Sequence, residues 1–204
     1  VNLCLPEESI MDAKRLSHSE LAIACALAAL MAATRFHHFG SALQLPDASL
    51  AVFFLGGLYL RRALAFGAYA GLAALVDYMA IAHVGVSDWC VTPAYAFLLP
   101  TYACLWWAGV WCAKHERRGW RGYPRLAGAL FCATAPAFFI SNASFYALSG
   151  YFSGLSLIEY STRVAKYFPP YLASAAAYVA AAIAVQGLFA HMARAKAGAI
   201  PGRS

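Results

Sequence analysis

The chain has 204 residues, 62% of them hydrophobic and 12% charged, whereas a soluble domain carries about 25% charged residues. That composition excludes an ordinary soluble domain. The formal net charge is +6, but the basic residues gather in the gaps between apolar runs, which is the pattern of a membrane protein and not of a nucleic-acid binder. Backbone groups in lipid need internal partners, so a spanning chain is helical or a closed barrel. The apolar residues here come in long runs rich in Ala and Leu, without the alternation of barrel strands, and this selects helices.

Residues 1–18 read as a flexible polar tail with Glu7, Glu8 and Asp12 and no signal-peptide pattern, with Met11 a candidate start. A six-helix transmembrane domain is expected over residues 19–193, followed by a basic tail at 194–204. The first helix, Ser19 to Thr34, repeats Ala24, Ala28 and Ala32 at four-residue spacing. Small residues so spaced let a second helix approach closely, either within the chain or from a partner. Arg35, His37, His38 and Pro46 fall in the next loop. The second helix, Ala48 to Leu60, is short for a hydrocarbon core of about 30 Å. Arg61 and Arg62 make a basic turn, and the third helix, Ala63 to Val86, carries Asp77. The loop Asp88-Trp89-Cys90 follows. The fourth helix runs from Pro93 to Ala113 with a kink expected at Pro100, and Lys114 to Arg125 forms a basic loop. The fifth helix, Leu126 to Leu148, is expected to be interrupted at Pro136 and carries Asn142. Tyr151 to Pro170 reads as an aromatic loop, and the sixth helix spans Tyr171 to His191.

Six spans put both termini on one side. Twelve Lys and Arg residues fall on the side of the termini and three, Arg35, Arg163 and Lys166, on the other. The excess marks the cytoplasmic side, so both termini are expected inside. The Asp88-Trp89-Cys90 loop is then outside. Asp77, Tyr95 and Asn142 all lie toward the outer ends of their helices. A carboxylate within a span costs roughly 2.5–3.5 kcal/mol on insertion scales. Asp77 is therefore expected to face a wet cavity or a polar partner such as Tyr95 or Asn142. Of the 6 cysteines, Cys90 alone falls on the outer side. It has no disulfide partner there and belongs to no CxxC motif, so metal ligation by its soft thiolate is one use for it. His37, His38 and His83 lie near the same face, but their spacing matches no zinc signature.

The six short helices, the AxxxA-spaced first helix and an outward site over helices three to six resemble the substrate-binding S-components of energy-coupling-factor vitamin transporters. The combination of Asp77, Asp88-Trp89-Cys90 and Tyr95 resembles the BtuM-type cobalamin transporters of Gram-negative bacteria. The resemblance covers Met11 to Lys196, and its specific part is the cysteine-bearing loop. It implies uptake of cobalamin (vitamin B12) across the bacterial inner membrane, with the corrinoid as bound substrate and no cofactor of the protein's own. Cys90 would be an axial cobalt ligand, and Asp77, Asp88, Trp89, Tyr95 and Asn142 would belong to the binding site. Displacement of the cyano ligand of cyanocobalamin by that thiolate would release cyanide, a decyanation. An energising module would dock on Ala24, Ala28 and Ala32, although the BtuM type includes stand-alone members. The chain has no P-loop and no nucleotide hydrolysis of its own. An S-component for another vitamin or metal, a membrane thiol enzyme unrelated to corrinoids, and a structural membrane protein are the competing readings.

Overall fold

The computed structural model describes residues 16–40, 45–115 and 122–198, with the side chains of 36–40, 90 and 196–198 outside that description. The tail through residue 15, with Met11 and Cys4, lies outside the described residues, as do Arg117, Arg118 and Arg121 of the basic loop and the side chains of His37 and His38. The described residues are all-helical, without a strand. The helices are α1 (His18–Gly40), α2 (Ser49–Tyr59), α3 (Ala63–Val84), α4 (Leu98–Lys114), α5 (Tyr123–Leu148), α6 (Leu157–Ala165) and α7 (Phe168–Gly198). Two short 3-10 turns, Asp88–Cys90 and Pro93–Phe97, join α3 to α4.

Among the described residues four segments are long and apolar enough to cross a membrane: Ala63–Val84, Pro93–Lys114, Tyr123–Leu148 and Phe168–Ala195. The 11-residue α2 is apolar but shorter, reaching only about 17 Å. Its place in the fold explains its length. Every residue from Ser49 to Gly57 is buried, so α2 is the centre around which the longer helices pack.

The tightest packing is between α2 and α4. A Cβ on Gly57 would collide with the backbone of Trp106, and one on Gly109 with the backbone of Phe54 and Leu58. The two backbones touch there, which only glycine permits. Around this crossing Phe53 stacks on Tyr102 with centroids 4.1 Å apart and meets Phe66 and Tyr69 edge-on. Phe66 in turn packs edge-on against Trp106.

Several boundaries differ from the sequence reading. The first helix does not stop at Thr34 but continues to Gly40, so Arg35 is a helical residue and not a loop cation. Val84 ends α3 because Gly85 adopts a left-handed φ of 73° and Val86 N–H turns back to the carbonyl of Ala80 at 3.3 Å. Pro100 sits in the first turn of α4, where its missing N–H has no intrahelical role. Pro136 lies inside an uninterrupted 26-residue α5. The aromatic loop holds a helix, α6, capped by Ser156, whose Oγ accepts from Glu159 N–H at 3.2 Å. The last helix runs through residues 194–198, expected as tail. On α1, Ala24 and Ala28 pack against the protein's own core, whereas Ala22, Ala26, Ala29 and Ala33 are exposed.

Candidate functional site

The polar centre of the bundle is built on Arg35. Immediately before it on α1, Thr34 Oγ1 donates to Leu30 O at 2.9 Å and accepts from Ala48 N–H at 3.2 Å, which ties α1 to the start of α2. Arg35 therefore points toward the α2 entry and α3. Its Nε and Nη2 donate to Oδ1 and Oδ2 of Asp77 at 2.5 and 2.6 Å. Its Nη1 reaches Asp47 Oδ2 at 3.2 Å, Ser49 Oγ at 3.0 Å and Tyr102 Oη at 3.0 Å. Three other stretches of chain thus converge on the guanidinium that α1 supplies. Arg35 is 6% exposed and Asp77 8%. Such a pair is held by its geometry and by hydrogen bonds that occupy the remaining lone pairs.

Asp77 receives a further bond from Tyr95 Oη at 2.7 Å. The expected Tyr95 partnership is present. Asn142 is not a partner of Asp77: its Nδ2 donates to Phe138 O at 2.9 Å. Asp47 Oδ1 accepts from Ser49 N–H at 2.9 Å and Ser49 Oγ at 2.7 Å, closing the first turn of α2. From α7, Ser174 Oγ donates to Asp47 O at 3.1 Å and Tyr178 Oη to Pro46 O at 2.7 Å, so the loop before α2 is pinned on both sides.

Beside this network lies a cavity of about 490 Å³, within the roughly 300–1,000 Å³ of ligand pockets. Arg35, Asp47, Asp77, Tyr95, Asn142 and Tyr171 are among its walls. A narrow recess of about 20 Å³ shares Asp77 and Tyr95 with the cavity and continues to Ser87 and Val91, which flank the Asp88–Cys90 turn on its two sides. Cys90 lies in the backbone of the 3-10 turn between them; its side chain is outside the described residues.

Of the expected site residues, the fold brings Asp77, Tyr95 and Asn142 to one cavity. Asp88 and Trp89 do not line it. Asp88 is exposed, and Trp89, 51% exposed, stacks on Tyr151 with centroids 3.8 Å apart and rings 8° from parallel. That stack joins the cysteine loop to the segment after α5, and Tyr151 leans on Phe145, itself a cavity wall. Below it, Tyr160 of α6 is buried against Tyr146 and Phe152 and donates to Asn142 O at 3.1 Å. Burial pushes the Tyr160 phenol above its ordinary pKa. Sequence reading missed Arg35, Asp47 and Tyr171 as cavity residues. A signal for Arg35 was present, because a carboxylate within a span calls for a cation.

Among the described residues no three His, Cys, Asp or Glu side chains come together as a metal site. His83 is exposed near the end of α3. Cys25, Cys104, Cys112 and Cys132 are free thiols.

Fold and site together define a helical membrane protein with a charged, tyrosine-lined cavity. No known family and no curated protein matches the chain.

Proposed function

We propose that this protein takes up cobalamin across the bacterial inner membrane and binds the corrinoid from the periplasmic side. The observation that carries the reading is the cavity at Asp77, Tyr95 and Asn142, with the recess that leads from Asp77 and Tyr95 to the residues flanking Cys90. In this reading α1 and the protein-wrapped α2 complete six passes, and both termini are cytoplasmic. A corrin with its side arms is larger than the cavity, so one edge of the ring seats there. The aromatic roof at Trp89 and Tyr151 moves aside to admit it.

Cys90 Sγ is the axial cobalt ligand. With cyanocobalamin the chemistry is ligand exchange at trivalent cobalt. The Co–S bond forms, the Co–C bond breaks, cyanide leaves with that electron pair, and the thiol proton passes to cyanide or solvent. Asp77 and Tyr95 support the ring edge near the thiol, and Asp88 and Trp89 act from the loop above. An energising module, where one takes part, meets α1 beside Ala24, Ala28 and Ala32, on the exposed flank of Ala22, Ala26, Ala29 and Ala33.

Mixing purified protein with cyanocobalamin and following the visible spectrum tests the reading. Loss of the cyano spectrum in wild type, and its retention in Cys90→Ala, is the expected result. An unchanged wild-type spectrum with no bound corrinoid would sink it. Growth of a cobalamin-uptake mutant carrying wild type or Cys90→Ala then separates transport from the thiol chemistry.

A further inference from the structure

Among the described residues three charged side chains line the cavity: Arg35, Asp47 and Asp77. Their charges do not face it equally. Every guanidinium nitrogen of Arg35 is engaged within the protein, Nε and Nη2 by Asp77 and Nη1 by Asp47, Ser49 and Tyr102. The side chain of Arg35 is 7% exposed, whereas that of Asp47 is 33% exposed. One cation against two carboxylates leaves the wall with a formal charge of −1, and the cation is the most enclosed of the three. Asn142 gives one of its two amide N–H groups to Phe138 O, and its Oδ1 remains an acceptor beside the cavity. Tyr95 spends its hydroxyl proton on Asp77.

We propose that this cavity selects by charge, taking ligands that present neutral or cationic N–H donors and rejecting ligands that present carboxylates, with Asp47 as the specificity-determining residue. The inference rests on the corrinoid reading and deepens it: the accepted corrinoids are those whose peripheral side arms are carboxamides, and the rejected ones carry the same arms as free acids. A carboxamide arm donates to Asp47 Oδ2, to the free lone pair of Asp77 Oδ1 or to Asn142 Oδ1. A carboxylate arm meets a negative wall in a medium of low dielectric, where like charges repel far more strongly than in water. Leaving buried acceptors and a charged ligand group unpaired is the kind of mismatch that gives large discrimination.

Asp47 is the residue through which this selectivity can be altered. It is more open to the cavity than Asp77, and its replacement by Asn keeps an Oδ1 acceptor for Ser49 while removing the charge.

The test compares binding of two probes to the purified full chain at neutral pH: cobinamide, whose arms are amides, and cobyrinic acid, whose arms are carboxylates. Wild type is expected to favour cobinamide by at least about tenfold, and Asp47→Asn to narrow that ratio by about threefold or more, the scale of one charge acting through a partly screened interior. Equal binding of the two probes to wild type overturns the proposal while the corrinoid reading stands. An unchanged ratio in Asp47→Asn, with a thermal transition like that of wild type, overturns the role of Asp47. Failure of both probes to bind removes the corrinoid reading and this inference with it. The wild-type comparison needs no variant to fold.

Discussion

Arg35 holds Asp77 by two parallel bonds, Nε to Oδ1 and Nη2 to Oδ2, across 42 positions of sequence. This fork joins α1 to α3 at the level where Tyr95 and Tyr102 of the α4 segment also converge. It sets the depth and direction of Asp77, and thereby the shape of the cavity wall.

Removing one partner of this pair leaves the other charged and enclosed, which costs about 3–5 kcal/mol. Arg35→Ala and Asp77→Ala should each lower thermal stability in detergent by that order. Replacing both with apolar residues of similar volume, Arg35→Met with Asp77→Leu, should recover most of the loss. A double-mutant cycle read by thermal unfolding checks this, and additive losses would show that the fork contributes nothing beyond its separate residues.

The α2–α4 crossing gives a second, independent expectation. Gly57→Ala and Gly109→Ala each place a methyl group against main-chain atoms that cannot move aside. Overpacking of this kind typically costs 1–3 kcal/mol, occasionally more. Gly67 and Gly128 lie in α3 and α5 with nothing near their missing Cβ. There alanine should be neutral, or stabilising by about 0.5–1 kcal/mol through helix propensity. Melting temperatures of the four variants in one detergent decide it.

The contrast between these two features shows what the sequence could disclose. The apolar runs made all the long helices legible, because membrane burial leaves a strong mark on composition. Asp77, Tyr95 and Asn142 could be grouped because topology alone puts the same ends of antiparallel helices at one face. Arg35 was misread because Gly40, and not Arg35, closes α1; a charged residue at the end of an apolar run looks like a boundary when its counter-ion is 42 positions away. The short α2 looked like a weak span because length was judged against the bilayer, while in the fold it is wrapped by protein. For α6 the signal was local and readable: Ser156 and Glu159 at capping-box spacing, followed by Tyr160, whose burial against Phe152 and Tyr146 depends on a contact no periodicity reveals.

Ser156→Ala should destabilise the start of α6 by about 1 kcal/mol, the ordinary value of an N-cap. The helix has 9 residues, too few to hold without help. Hydrogen exchange of the amides at 157–165 should accelerate about fivefold, with the exchange of α2 unchanged. Equal acceleration in both would mean that the cap supports the whole bundle and not α6 alone.

The Trp89–Tyr151 stack predicts a mobile roof. An aromatic pair is worth about 0.5–1.5 kcal/mol beyond area burial, so Trp89→Ala should raise exchange at 87–97 by roughly two- to tenfold. Corrinoid dissociation should quicken by a similar factor without loss of the Cys90-dependent spectral change. Slower dissociation in this variant would show that the stack obstructs the bound ligand and does not retain it.

The charge distribution predicts the orientation. Arg35, one of the three basic residues first assigned to the outer side, is enclosed in the ion pair with Asp77. Arg163 and Lys166 are then the two left to that expected side against the twelve expected on the side of the termini. The bias toward cytoplasmic termini is therefore stronger than the raw count. A green fluorescent protein fused after the final residue should fluoresce, because that reporter folds in the cytoplasm. Alkaline phosphatase inserted at Ser153 should be active, because it needs the oxidising outer compartment. A dark carboxy-terminal fusion together with an inactive Ser153 insertion would reverse the topology and move the cavity mouth to the cytoplasmic side.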